Sequence, residues 1–393
     1  MSHLRPGRPA PSVVVPLSWT LALLAWAVAL LTPASIAASR RDDPYPLRNQ
    51  FPLHLVFLDQ TPRSARLLDR GERHLTIHTT YENTQAGTAT LIDAFRVDDF
   101  RTFNGIVTQP ILEAVAAANP EGTAFYVDGE TMRTVIDFAV GLSGRFECNV
   151  EIPFLMHTGG FLDSIIDDYH EALDLPDGGR PGFQRDRYVN GYVTGATSIL
   201  VEGGRDGIRP GDIVLTGRTA IVKAGAGHPA ASLSVSAKLP TGDEDRLDGS
   251  GSADYGGAIA ISGRAGRSSL HGGYAYTKIG SWDLAPGLNP RNSRSLFGTW
   301  VFSATPGTAL IAQLLRTRGP FEQTAGNDLG RATTEIAFGM RHGTGEGPVF
   351  DWALIENFDN DFSAPDIGAF LGLTVPIGAS GGVHRDTENT LNK

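Results

Sequence analysis

The chain has 393 residues, a formal net charge of −10 and a single cysteine, Cys148. The acidic balance excludes a nucleic-acid-binding protein, because no basic stripe is present to meet phosphates, and one thiol cannot form an internal disulfide. With 47 Gly, 24 Pro, 41% hydrophobic and 19% charged residues, the composition favours strands and turns over bundled helices.

At the N-terminus, Arg5 and Arg8 precede an almost wholly apolar run from Val13 to Leu31, and TPASIAAS follows with Ser35 and Ala37 at −3 and −1 of a cleavage site. This is the layout of a secretory signal; a membrane anchor is the competing reading of an apolar run that long. Small residues and then polar chain follow at once, so 1–37 is read as a cleaved signal peptide and the mature protein as exported. No later stretch approaches a spanning helix, so any membrane crossing must use strands. Residues 38–72, with PLRNQFPLHLVFLDQTPRSARLL, are Pro-rich and irregular and are expected to form a periplasmic N-terminal segment.

Strand signals begin at His74–Glu82, where Leu75, Ile77 and Tyr81 alternate with His74, Thr76, His78 and Thr80. A helix is expected over Gln109–Asn119, ending before Pro120. Met132–Leu142 and Phe146–Met156 alternate again, joined by Ser143-Gly144. In the second, Phe146, Cys148, Val150, Ile152, Phe154 and Met156 oppose Glu147, Asn149 and Glu151. Such a row of ionic and amide groups is costly in a dry core and cheap facing a wet lumen. The long stretch after it opens with FLDSIIDDYHEALDLP, whose Leu162, Ile165, Ile166, Tyr169 and Leu173 fall at helical spacing; an extra strand pair is expected in Tyr188–Val201. Nine further strands are expected near 212–223, 230–240, 254–264, 268–279, 294–304, 308–317, 332–342, 348–357 and 366–377. The stretch 308–317 is partly apolar on both faces, which leaves its orientation open.

The connections between these strands alternate, long then short, along the chain. A soluble sandwich has no reason to sort loop lengths by end; an outer-membrane barrel has short periplasmic turns and long extracellular loops. The reading is therefore all-β: a transmembrane antiparallel up-and-down β-barrel of about 12 strands over 73–377, each strand of about ten residues suiting a tilted crossing. It carries a helix-bearing loop at 157–211 and a tail at 378–393. Outer-membrane lipids, lipopolysaccharide and the barrel-assembly machinery are the partners this location implies, with Lys278 at the outer rim suited to lipopolysaccharide phosphates.

The segment AKLPTGDEDRLDGSGSADYG resembles a loop of uncharacterised bacterial outer-membrane barrels, among them those named after the MetA pathway of phenol degradation. PLRNQFPL, DGETMRTVIDFAVGLSGRFECNVEIPFLMHTGGFLDSIIDDYHEALDLPDGGR and GIRPGDIVLTGRTAIV look more closely like one family known only as a domain of unknown function. The resemblance spans Pro44 to Ile377 and implies a Gram-negative outer-membrane barrel with no defined activity. Gln85–Gly122 is longer than the family pattern, and the tail GASGGVHRDTENTLNK extends past the last strand, where such barrels commonly end on an aromatic residue.

By strand parity the lumen-facing charges are Arg133, Asp137, Glu147, Glu151, Arg218, Lys238, Arg264, Glu335, Arg341 and Asp351. They could line a pore that selects a small solute by field and size, or pair across a partly filled barrel. In the loops, Asp243, Asp245 and Asp248 lack the twelve-residue calcium-loop spacing, so a solvated, mobile loop is expected and no metal is assigned. Tyr169 and His170 sit on the amphipathic helix, whose acidic polar face is wrong for lying on anionic lipid and which is expected to pack on the rim or in the mouth of the barrel. No outward Ser–His pair and no G-x-S-x-G elbow is present, so no catalytic residue and no cofactor are assigned. The expected function is a channel or transporter for small solutes. The alternatives are a non-conducting barrel whose extracellular loops bind a ligand or partner and, least favoured, an outer-membrane lipid-modifying enzyme.

Overall fold

A computed structural model describes residues 42–377, apart from loop stretches at 99–101, 103, 175–178, 196, 204, 226–227, 284–287, 289, 323–327, 344–346 and 359–363. Residues 1–37, expected as a signal peptide, and 378–393, expected as a tail, lie outside the described residues.

Alternating sequence becomes strand wherever it was expected. The wall consists of β1 (Arg73–Gly87), β2 (Thr123–Ser143), β3 (Phe146–Thr158), β7 (Ile213–Val222), β8 (Ala230–Leu239), β9 (Asp254–Ala265), β10 (Ser268–Lys278), β11 (Ser293–Thr305), β12 (Thr308–Arg318), β13 (Ala332–Gly343), β14 (Val349–Asn357) and β15 (Ile367–Pro376). Each pairs antiparallel with the next, and β15 returns to β1 from His74↔Pro376 to Asn83↔Ile367, closing a twelve-stranded barrel. Closure leaves no open edge along the wall. Connections of two residues join β2 to β3, β9 to β10 and β11 to β12. The same end holds the start of β1 and the end of β15. The opposite end carries the six long connections.

Side chains on the outer face are apolar yet exposed: Val235 is 69% accessible, Leu270 61% and Phe338 61%. A soluble core would cover such residues; here they form the belt of an outer-membrane barrel. Strand β12 takes a definite orientation. Ala309, Ile311, Gln313 and Leu315 are buried inside, and Leu310 and Leu314 are exposed outside.

One difference from the sequence reading concerns the ends of the wall. β1 and β2 continue beyond it to Gly87 and back from Thr123, and β4 (Val189–Thr194) and β5 (Thr197–Glu202) extend the projecting part of β2, while β6 (Arg205–Pro210) pairs with β3. Between β1 and β2 lie α2 (Ala89–Asp98), which the periodicity did not reveal, and α3 (Gln109–Ala118), which it did. Leu91, Phe95, Leu112 and Ala116 of these helices pack on Tyr126, Phe183, Val189 and Val193.

The second difference is larger. Residues 42–72, expected outside the barrel in the periplasm, run through its interior. The stretch contains Leu47, Phe51, Leu53, Leu55, Val56, Phe57 and Leu58, all 5% accessible or less. Leaving that much apolar surface in water is unfavourable at about 25 cal/mol per Å², and the barrel interior removes it.

Candidate functional site

The inserted segment follows a U. Near the short-turn end the Asp42 carboxylate accepts from Arg66 at 2.7 Å and from Ser269 Oγ at 2.7 Å. Tyr45 exchanges two hydrogen bonds of 2.9 Å with the Gln313 amide, as a strand residue would with a neighbour. Its ring lies 5.2 Å from that of Phe370. At the long-loop end α1 (Pro52–Leu55) makes one helical turn, fastened where Arg48 donates to the carbonyl of Phe57 at 2.8 Å and His54 Nε2 meets that of Leu329 at 3.0 Å. The chain then descends. The Leu58 amide donates to Asp254 at 2.8 Å, that of Ala65 to Ser262 at 2.8 Å, and that of Leu68 to Glu147 at 2.8 Å. Gly141 faces inward at the exit, where a Cβ would stand 2.0 Å from the Asp69 carbonyl, so only glycine lets the chain pass into β1.

The two legs of the plug meet different parts of the wall. On the ascending leg Tyr45 and Leu47 pack with Val301, Ile311, Ala337, Ile355 and Phe370. The descending leg meets a cluster of charges. Arg63 donates to Asp137 at 2.9 Å and to Glu151 at 2.5 Å, and Asp137 also receives Asn149 at 3.2 Å. Glu147 takes Arg218 at 2.7 Å, and Arg218 reaches across to the carbonyl of Ser64.

Of the ten charges assigned to the lumen, nine are buried inside it: Arg133, Asp137, Glu147, Glu151, Arg218, Lys238, Glu335, Arg341 and Asp351. Arg133 lies 3.9 Å from Glu151. Lys238 bridges Asp212 and, at 3.4 Å, Asp254. Arg341 makes a two-pronged pair with Asp351 at 2.6 and 3.0 Å and donates to the Asp43 carbonyl at 2.6 Å. Glu335 shares a cavity of about 10 Å³ with Arg48 and Glu82. Arg264 departs from expectation. It has inward parity but is exposed, two residues beyond the last pair of β9 with β8 and paired there only with Ser269 of β10, and it donates to the Gly266 carbonyl at 3.4 Å. The residues that sequence reasoning missed are the plug's own, above all Arg63, Arg48 and Tyr45. The signal was available, since six apolar residues within Phe51–Leu58 are too many for a solvated lead-in.

Space left beside the plug is small. A cavity of about 30 Å³ lies between Gln60, Arg63, Glu151, Thr216 and Ser236, room for one or two waters. Above it the mouth is closed by a second apolar cluster. Phe51, Leu53, Val56 and Phe57 of the plug meet Tyr192, Leu247, Trp282, Leu288, Phe321 and Leu329 from four long connections. Phe57 stands edge-on to Trp282 at 5.5 Å and to Phe321 at 5.8 Å. A buried Ser–His contact exists at the other end, Ser262 to His271 Nδ1 at 2.8 Å, but that serine also receives the Ala65 amide and so serves the plug.

The acidic loop is held at several points where a mobile one was expected. Asp248 is buried and receives Arg209 at 2.6 and 3.1 Å. Asp212 accepts the amides of Thr241 and Gly242 at 2.9 and 2.8 Å. Asp243 and Asp245 are exposed, Asp243 facing Arg246 at 3.3 Å. Among the described residues no group of three or more His, Cys, Asp or Glu is placed to hold a metal ion.

The amphipathic helix forms as α4 (Leu162–Leu173), and it stands against the outer wall near the long-loop end. Its first turn lacks a side-chain cap of its own; the buried Glu130 of β2 accepts the amides of Phe161 (2.8 Å) and Leu162 (2.5 Å) and takes the Tyr81 hydroxyl. A carboxylate there also suits the positive end of the helix dipole. On the polar side Asp163 takes Asn83 and Arg180, both at 3.0 Å. Burial opposes the charge of Arg180, but Asp366 and Asp163 outweigh it and hold this loop guanidinium more firmly protonated than usual. Tyr169 is 40% exposed on the apolar stripe and His170 half-buried beside it. Between the stripe and the wall lies a groove of about 330 Å³.

The model of a family described as a protein of unknown function (DUF3187) matches residues 111–377, more than half of the chain, so the chain belongs to that family. No curated protein sequence matches it. Among solved structures it is similar to the CymD monoaromatic hydrocarbon channel, at 9% identity over 79% of this chain and 90% of that one with a TM-score of 0.35. It is likewise similar to a Pseudomonas aeruginosa FadL homologue, at 10% identity over 79% and 90% with a TM-score of 0.33. The corresponding values for Salmonella typhi OmpF, solved with daunomycin, are 11%, 78%, 98% and 0.29.

Proposed function

We propose that this DUF3187 protein resides in the bacterial outer membrane as a barrel that is closed at rest and acts by binding at its long-loop side, rather than as an open pore for small solutes. The observation that carries this reading is the plug: residues 42–72 fill the lumen, and the charges that would select solutes are taken up by the plug or by one another. Placement in the outer membrane is supported by the exposed apolar belt and the sorting of loops by length. Contact with lipopolysaccharide near Lys278 and insertion by the barrel-assembly machinery follow from that location. The reading assigns no reaction.

A gated channel is the second reading, and one feature favours it. The wall facing the descending leg carries Ser, Thr, Asp, Glu and Arg among its apolar residues, and water could rehydrate these groups if that leg withdrew. The test is planar-bilayer recording together with liposome swelling on the purified mature protein. Silence in both supports a closed barrel. Reproducible, solute-sensitive steps from the wild type overturn it, and steps only under an applied trigger favour the gate.

A further inference from the structure

The groove under α4 is walled on one side by Phe161, Ile165, Ile166 and Tyr169 and on the other by outward residues of β1, β2, β14 and β15, including Leu354 and Leu371. Two apolar surfaces that face each other normally collapse, because an unfilled gap forfeits dispersion contacts on both sides. Here polar anchors hold them apart. Glu130 pins the start of the helix to the wall, and the hydroxyl of Tyr81, which lines the groove, is engaged by that same carboxylate. Asp163, Arg180 and Asp366 fix its far side, and Asp167 pairs with Arg185 at 2.6 Å. At Gly160 a Cβ would overlap the Glu130 carboxylate, so the approach of chain to anchor is built for this spacing.

The volume lies within the range of ligand pockets, about 300–1,000 Å³, but the lining presents hydrocarbon where such pockets usually place a few orienting polar groups. The floor is continuous with the exposed apolar belt of β13, β14 and β15, so the groove opens onto whatever covers that belt.

From these features we infer that the groove holds an acyl chain of a bilayer lipid. The lipid then completes the packing of α4 on the wall. The inference rests on the membrane reading above, and the test separates the two. The full mature protein is reconstituted with phosphatidylethanolamine carrying a photoactivatable diazirine in its acyl chain, and the cross-links are mapped by mass spectrometry. Several-fold more labelling is expected at Ile165, Tyr169 and Leu354 than at the belt positions Leu296 and Phe338. Ala369→Trp, which fills the groove from an exposed wall position, should bring groove labelling down to the belt level while heat-modifiable migration shows the barrel intact. Groove labelling equal to the belt, or unchanged in A369W, overturns the acyl-chain site. Absence of label on the belt itself would instead overturn the membrane reading.

Discussion

Arg63→Ala tests whether ion pairs keep the plug seated. The Arg63 side chain is 14% accessible and meets Asp137 and Glu151, both under 10% accessible. Removing one partner of a buried pair typically costs about 3–5 kcal/mol, because the other charge is left without its counterion. Here the loss falls at the lower end, since Asp137 retains Asn149 at 3.2 Å and Glu151 retains Arg133 at 3.9 Å. About 3 kcal/mol corresponds to roughly a hundredfold shift in the equilibrium between seated and released plug. Ser64 is adjacent, buried at 2% accessibility. In a Cys148→Ser background, Ser64→Cys therefore reports release through its labelling by a water-soluble maleimide. We expect the labelling rate to rise by about two orders of magnitude in R63A and to recover when Asp137→Asn and Glu151→Gln are added, since the carboxylates no longer need a counterion. An unchanged rate in R63A would refute the reasoning and would mean that the apolar contacts of Tyr45 and of the mouth hold the plug alone.

Two further outcomes follow from the packing. Phe321 is fully buried in the mouth against Phe57 and Trp282, so Phe321→Ala should cost the mouth about 3–5 kcal/mol. Hydrogen exchange should then quicken at Trp282 and Leu329 and not at mid-strand amides of β11; exchange quickening throughout the wall would contradict a separate cap. Cys148 faces outward from β3 and is exposed. In liposomes it should resist a charged maleimide and react once the protein is unfolded in urea, whereas rapid labelling in intact liposomes would place that face in water.

The amino-acid sequence by itself determined the wall. Period-two alternation sets which side of each strand is apolar, and the segregation of short and long connections sets which ends are joined; both are local signals. It also placed nine of the ten inner charges, since parity within a strand fixes the face. Parity failed at Arg264 because β9 runs on past its last pair with β8, at Ser262, so the inward face there is open to solvent. The helix at 162–173 was legible from its 3.6-residue period, but its position on the outer wall depends on Glu130, thirty residues earlier, and on Arg180 and Asp366 from other loops. The largest matter that only the tertiary structure decided is the state of the lumen. The plug has no period, because its residues satisfy partners on strands up to 307 positions away, as Tyr45 does with Trp352. A chain that borrows its contacts from a finished barrel carries no pattern of its own, and so the same wall charges that read as a pore prove to be the seat of a plug.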